Sequence, residues 1–213
     1  GAEQFSSRSL SGTIQPGADH EANRDYDRWR KVTMNFLERV LIKLHLKKPI
    51  DYNSIEYLRS RGIEIGENVH LYNTNIDFGH GFLVSIGNNV TLTGVMVLAH
   101  DASTQISLGV SKVGRVRIGN NVFVGHGSIV LPGVSIGDNC VIGAGSVVSK
   151  NIPSGSIAVG NPIRIVGCYE NFVKKHKAQM EQRPVFSTFW VDKSDEEKAD
   201  MKAKLADGIG YDK

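Results

Sequence analysis

The stretch Ile118-Gly-Asn-Asn-Val122-Phe-Val124-Gly-His-Gly-Ser128-Ile-Val130-Leu-Pro-Gly-Val134-Ser-Ile136-Gly-Asp-Asn-Cys140-Val-Ile142-Gly-Ala-Gly-Ser146-Val-Val148 decides the fold. Ile118, Val124, Val130, Ile136, Ile142 and Val148 fall six residues apart without a slip, and Gly119, Gly125, Gly137 and Gly143 follow four of them. Four residues after each apolar position stands a small or medium side chain: Val122, Ser128, Val134, Cys140 and Ser146. A period of six fits neither a helix of 3.6 residues per turn nor plain strand alternation. It fits a short strand, a sharp bend and another short strand. Gly or Asn at each bend admits a positive φ at little cost. The repeated apolar side chain then points inward and stacks on its equivalent in the next coil, so the array is stable only as a stack.

The same phrase stands upstream as Ile65-Gly66-Glu67-Asn68-Val69 and Ile86-Gly87-Asn88-Asn89-Val90. The phase breaks twice. The step from Ile65 to Ile86 exceeds a coil of eighteen by three residues, and a long polar insertion opening with His100-Asp101 separates Leu98 from Ile118. A loop thrown out of a regular solenoid is where function is expected.

The flanks read differently. Residues 1–23 are polar and aperiodic, a flexible tail. Trp29, Val32, Phe36, Val40, Leu41 and Leu44 recur at helical spacing until Pro49, and Asp51 or Ser54 caps a second short helix ending near Arg61. Lys150-Asn151-Ile152-Pro153 and Gly160-Asn161-Pro162 end the repeat. Helical patterns follow over 168–182 and 194–206. The organisation expected is therefore a tail at 1–23, a helical region at 24–62, a solenoid at 63–167 with a protruding loop at 99–117, and a helical extension at 168–213. The amphipathic helix before Pro49 has two candidate uses: capping the open end of the solenoid, or touching a membrane surface.

Bulk composition narrows the class. A net charge of +3 carries no dense basic stripe, which argues against nucleic acid. Two cysteines in 213 residues imply no disulfide framework and a reducing, cytoplasmic setting. No apolar run reaches the ~18 residues of a membrane span, and no charged segment leads into an apolar one as in a signal peptide.

The runs Ile118–Gly125, Pro132–Asn139, Ile142–Lys150 and Gly160-Asn161-Pro162 resemble the C-terminal signature of the maltose and galactoside O-acetyltransferase group of hexapeptide-repeat acyltransferases. The resemblance covers roughly residues 63–167. It implies a mainly β protein built on a left-handed parallel β-helix, a handedness the spacing alone does not give. It also implies a homotrimer with active sites between subunits, acetyl-CoA as co-substrate, no required metal, and a saccharide hydroxyl as acceptor. The group's usual Trp is Phe123 here, on the acceptor side.

Acyl transfer from a thioester needs a base for the hydroxyl proton and donors for the oxyanion. A neutral imidazole suits the first task. His100 opens the long loop, and the resemblance places the catalytic histidine there. Asp101 either orients a ring or caps the turn. By position, His126, Ala144, Ser149 and Lys150 match the group's coenzyme contacts, backbone beside Gly125 and Ala144 admits the donor's amide-rich arm closely, and Lys150 and Arg164 are suited to its phosphates. Asn73, Asn75, Asp77 and Asp101, with Phe123, are candidate acceptor contacts. Cys140, at an inward position, reads as core, so direct transfer is preferred to an acyl-enzyme. The rivals are an N-acetyltransferase acting on a nucleotide-linked amino sugar, an antibiotic acetyltransferase, a non-enzymatic scaffold, and a zinc enzyme of carbonic-anhydrase type. The last needs three converging histidines, and His70 and His80 read as poorly placed to supply them.

Overall fold

The computed structural model describes residues 40, 41, 43, 44, 51 and 54–213. The chain divides into two compact units, Gly1–Ile50 and Asp51–Lys213. In the first, Val40, Leu41 and Lys43 are helical and Leu44 donates its N–H to the Val40 carbonyl at 2.9 Å. The rest of the helix expected before Pro49, and the tail expected at 1–23, lie outside the described residues.

The second unit opens with helix α1 (Ile55–Ser60), whose N-cap Ser54 side chain accepts from the Tyr57 N–H at 3.3 Å. Leu58 turns inward and joins the hydrophobic core. Thereafter the chain coils through three parallel sheets. Sheet A takes β1 (Glu64–Ile65), β4 (Val84–Ile86), β9 (Val116–Ile118) and β12 (Ser135–Ile136). Sheet B takes β2 (His70–Tyr72), β5 (Thr91–Thr93), β10 (Val122–Val124), β13 (Cys140–Ile142) and β15 (Ser156–Val159). Sheet C takes β3 (Asn75–Ile76), β6 (Met96–Val97), β11 (Ile129–Val130) and β14 (Val147–Val148). The six-residue period is thus one side of a three-sided coil.

Register makes the inward stacks explicit. Ile65, Ile86, Ile118 and Ile136 stack in sheet A and continue into a bridge with Ile152. Leu71, Leu92, Val124, Ile142 and Ala158 stack in sheet B, and Ile76, Val97, Val130 and Val148 in sheet C. Most of these side chains are fully buried, each favouring the fold by about 1.5–3 kcal/mol over an exposed position. β-Branched residues suit the pleated surface they occupy. Between the stacks, Val122, Ser128, Val134, Cys140 and Ser146 are buried too, which is why those positions stay small.

The bends explain the asparagines. Asn68, Asn89, Asn121 and Asn139 sit at the corner from sheet A to sheet B with φ of 54°, 55°, 55° and 53°. Asn tolerates that left-handed conformation better than other residues with a Cβ. Each side-chain amide then donates to the next asparagine's Oδ1 at 2.9, 3.0 and 3.1 Å, a ladder up the corner.

β16 (Arg164–Cys168) runs antiparallel against β15 and covers the last edge of sheet B. It leads into α2 (Tyr169–Met180). Beyond it, β17 (Val185–Phe186) and β18 (Tyr211–Asp212) pair in parallel around α3 (Asp195–Lys204), whose N-terminus carries a capping box between Ser194 and Glu197. No helix among the described residues is long and apolar enough to cross a membrane.

Candidate active site

The two breaks in the repeat fall at one corner. From sheet C to sheet A the regular coil needs only Leu131-Pro132-Gly133 between Val130 and Val134. The first coil spends residues 77–83 there, and the second spends residues 98–115. The apparent excess of three residues between Ile65 and Ile86 has two origins. This corner gains four residues. The corner from sheet B to sheet C is one shorter, with five positions from Leu71 to Ile76 but six from Val124 to Val130. Because the two insertions leave neighbouring coils at one edge, their first residues lie side by side.

Asp77 opens the first insertion and His100 the second. The Asp77 side chain is 1% exposed, and every hydrogen bond it accepts comes from the two insertions. Oδ1 takes the N–H of Gly79 at 3.1 Å and of His80 at 3.0 Å. Oδ2 takes the N–H of Ala99 at 3.0 Å and, in a very short contact, Nδ1 of His100. Burial is the largest influence on this carboxyl and pushes its pKa up. The His100 hydrogen bond and the backbone donors of His80 and Ala99 outweigh it and hold the group below the usual carboxylate range. An ionised Asp77 requires His100 to carry its proton on Nδ1. Nε2 is left as the free base, with no hydrogen-bond partner among the described residues. The His100 side chain is 39% exposed, so the ring is anchored inside and open outside.

This arrangement replaces the reading of Asp77 as an acceptor contact. Its oxygens are committed inside the protein, and it acts on the imidazole. Asp101 is likewise committed. It accepts from the Ser103 N–H at 2.8 Å and from Lys112 Nζ at 2.6 Å, across the hairpin formed by β7 (His100–Asp101) and β8 (Lys112–Val113). Lys112 first and Ser103 second lower its pKa to about 2. Of the two roles left open for Asp101, the structure shows the turn cap, extended into a clasp that holds the loop.

His80 is the residue that the sequence misjudged. Its ring lies 4.8 Å from that of His100 between centroids, and Asp77, His80 and His100 place one oxygen and two nitrogens within 4.8 Å of one another. His70, by contrast, stacks on Tyr72 in sheet B. The signal was available. An extra corner one coil below a long insertion puts its residues against that insertion, whatever their separation in sequence.

The remaining candidates distribute around sheet C. Asn75 stands on its outer face in register with Met96. Ser149 and Lys150 lie at the corner shared with His100, two coils on. Gly125, His126, Ala144 and Asn73 lie at its other edge, the corner from sheet B. A Cβ on Gly125 would meet the Ala144 nitrogen at 2.5 Å, so only glycine lets those coils stack. Arg164 is exposed in β16. Phe123 projects from sheet B, the one sheet that does not border the His100 corner, and in register lies between Thr91 and Val141. One chain therefore brings together Asp77, His80 and His100 but does not gather the residues proposed for the coenzyme, or Phe123, around them. Cys140 is core: its thiol is buried, burial raises its pKa, and Sγ lies 3.2 Å from the Pro153 carbonyl.

Residues 115–150 match the family model for bacterial transferase hexapeptide (six repeats). The chain is 40% identical over 140 residues to "Protein CapG" of Staphylococcus aureus, an alignment covering 62% of this chain and 81% of that protein. It is 36% identical over 100 residues to "Putative acetyltransferase YvoF" of Bacillus subtilis, covering 46% of this chain and 55% of that one. Among solved structures, a galactoside acetyltransferase in complex with coenzyme A aligns at 35% identity and a TM-score of 0.47, over 53% of this chain and 58% of that one. A maltose O-acetyltransferase from Clostridium difficile 630 aligns at 32% and 0.39, over 61% and 83%.

Proposed function

The chain belongs to the hexapeptide-repeat transferases and is an acyltransferase of that family, with a mainly β solenoid of the left-handed β-helix type; from that premise we propose that it transfers an acetyl group from acetyl-CoA to a saccharide hydroxyl with His100 as general base. The observation that carries this reading is the His100–Asp77 pair at the junction of the two insertions. Relatives named as acetyltransferases support the acyl group.

The chemistry follows from the pair. His100 Nε2 takes the proton of the acceptor hydroxyl as its oxygen attacks the thioester carbonyl. Asp77 fixes the tautomer and stabilises the imidazolium that forms. The tetrahedral intermediate collapses with loss of the C–S bond. The departing thiolate takes the proton back from His100, which returns the base to its starting state. No protein nucleophile enters, consistent with the buried Cys140.

We place the donor along sheet C, between the corner with Gly125, His126 and Ala144 and the corner with Ser149 and Lys150. The nucleotide phosphates lie toward Lys150 and Arg164, and Asn73 and Asn75 face the acceptor. A site with its parts on two edges of one sheet needs a neighbour to close it. The outer faces of sheets B and C supply the contact surface. Phe123, Val141 and Ile157 line one, and Met96, Ile129 and Val147 the other, whereas sheet A presents Glu64, Ser85, Arg117 and Ser135. Buried together, the two apolar ladders build a homotrimer that brings one copy's Phe123 toward the next copy's His100.

The test is thiol release from acetyl-CoA across a panel of sugars, amino sugars and nucleotide sugars, with product mass spectrometry. O-acetylation of a saccharide, by a sequential rather than ping-pong pattern, is expected. A product acetylated on nitrogen, or a trapped acetyl-enzyme, overturns the reading. Sedimentation equilibrium at a three-chain mass is the expected assembly.

A further inference from the structure

The same corner carries a feature that the acyl transfer does not use. Nδ1 of His80 is shielded from solvent and has no hydrogen-bond partner among the described residues. Asp77 Oδ1 stands 3.7 Å away, too far for a hydrogen bond. A buried ring nitrogen left unpartnered beside a carboxylate is costly in a native structure. It is also what a cation would use.

We propose that Asp77, His80 and His100 form a binding site for a divalent transition-metal ion of the zinc class, and that its occupancy switches His100 off as a base. Two imidazole nitrogens and a carboxylate are the donor set that such ions prefer over magnesium or calcium. Zinc bonds of ~2.0–2.1 Å in a tetrahedron set neighbouring ligand atoms about 3.3 Å apart. The His80–Asp77 separation of 3.7 Å is close to that edge. The contact between Asp77 and His100 Nδ1 is shorter than the edge, and it opens when the ion takes the place of the proton between them. Both histidine rings are more than a third exposed, so the ion has a route in and solvent supplies the fourth ligand.

The switch is a matter of one proton. In the metal-free pair His100 carries its proton on Nδ1 and offers Nε2 as base. A metal ion on Nδ1 requires that nitrogen's lone pair, so the proton moves through solvent to Nε2. No proton is gained or lost overall, but the face turned to the acceptor is now N–H and removes nothing. The ion thus inhibits without occupying the acceptor's position. Metal binding as such is independent of the acyl-transfer reading; the inhibition rests on it.

The experiment uses the full chain without a histidine tag, stripped with chelator. Titration with Co²⁺ is expected to give a tetrahedral visible spectrum at one ion per chain, displaced by Zn²⁺ followed calorimetrically. Nitrogen-15 shifts of the His100 ring are expected to report the proton moving from Nδ1 to Nε2. Zinc is expected to lower transfer on the order of 10²–10⁴-fold, the share of a general base, reversibly with chelator. His80→Ala keeps the backbone N–H that serves Asp77. It is expected to lose the cobalt spectrum, and the transfer it retains without metal is expected to be the same with and without zinc, at a melting temperature equal to the parental value; His80→Gln is expected to behave alike. Absence of cobalt or zinc binding by the parental chain, or binding unchanged in His80→Ala, overturns the site. Binding through His80 that leaves transfer untouched keeps the site and overturns the base assignment instead.

Discussion

The corner from sheet C to sheet A is built in two ways in one molecule, short and regular or long and rich in titratable groups. In the third coil it is Leu131-Pro132-Gly133, three residues that turn the chain and present nothing titratable. In the first two coils the same corner is long, and it holds Asp77, His80 and His100. The strands on either side of the corner are in register throughout. A stacked solenoid can lengthen one corner without disturbing its ladders, so chemistry is added where the period fails and stability is kept where it holds. Substitutions in the two regions should therefore have effects that do not mix.

The largest effect sharpens this division most. His100→Ala is expected to lower turnover on the order of 10²–10⁴-fold, about 3–5 kcal/mol of barrier. Its stability should fall by less than a core truncation costs, about 1–3 kcal/mol, because one partner of the buried Asp77 carboxylate is lost while the solenoid is untouched. Ile142→Ala is the converse. That side chain is fully buried in sheet B between Val124 and Ala158, and its truncation should cost about 2–5 kcal/mol of stability. Turnover per folded molecule, measured well below the melting transition, should be unchanged. A loss of turnover in Ile142→Ala as large as that in His100→Ala would break the division.

How much of this could be read beforehand follows from the same contrast. The regular half was legible because its period is strict: Ile118 to Val148 names its inward residues one by one, and the structure buries them. His100 stood out because it opens the longer break. Asp77 and His80 were misassigned for a physical reason. The pairing of His100 with Asp77 spans twenty-three positions and is set by the register of coils on both sides of a break, where counting by sixes fails. The extra three residues between Ile65 and Ile86 understated the shorter insertion, whose corner gains four. They did not give its corner, because a residue missing at one bend masked part of a gain at another. Phe123 is the opposite case: its motif is unbroken, and within one chain its sheet B does not border the His100 corner.

Asp77→Asn probes that unread pairing. The amide still fits the pocket, but it removes the charge that keeps the His100 proton on Nδ1. Turnover is expected to fall roughly 10²-fold, less than with loss of the base itself. A pH–rate profile in which the inflection assigned to His100 moves, with KM for acetyl-CoA unchanged, would place the effect on the base. An unmoved profile would return Asp77 to a purely structural role. On the regular side the matching small change is Asn121→Ala. It puts a Cβ-bearing residue without a hydrogen-bonding side chain at a φ of 55° and cuts two rungs of the asparagine ladder. A loss of about 1–2 kcal/mol in chemical denaturation is expected, with turnover intact.

The smallest effect lies in the long loop itself, and it tests how far the proposed site extends. Asp101 follows His100 directly, yet its carboxylate is turned away to Lys112 and the Ser103 N–H. Those partners hold its pKa at about 2, below the ordinary 3.8. For a carboxyl depressed on folding, the contribution to the closed loop is fully present above the ordinary value. It fades only as pH falls from there toward 2, so the clasp is complete at neutral pH. Both partners are exposed, so the clasp is weak in water and is screened by salt. Asp101→Asn should accelerate amide exchange in the β7–β8 hairpin and make turnover slightly more salt-independent, while lowering it only a few-fold and leaving the melting temperature unchanged. If it instead lowered turnover as far as His100→Ala, the clasp would belong to the reacting groups. The line between chemistry and scaffold would then run inside the loop, beyond the first residue of each insertion.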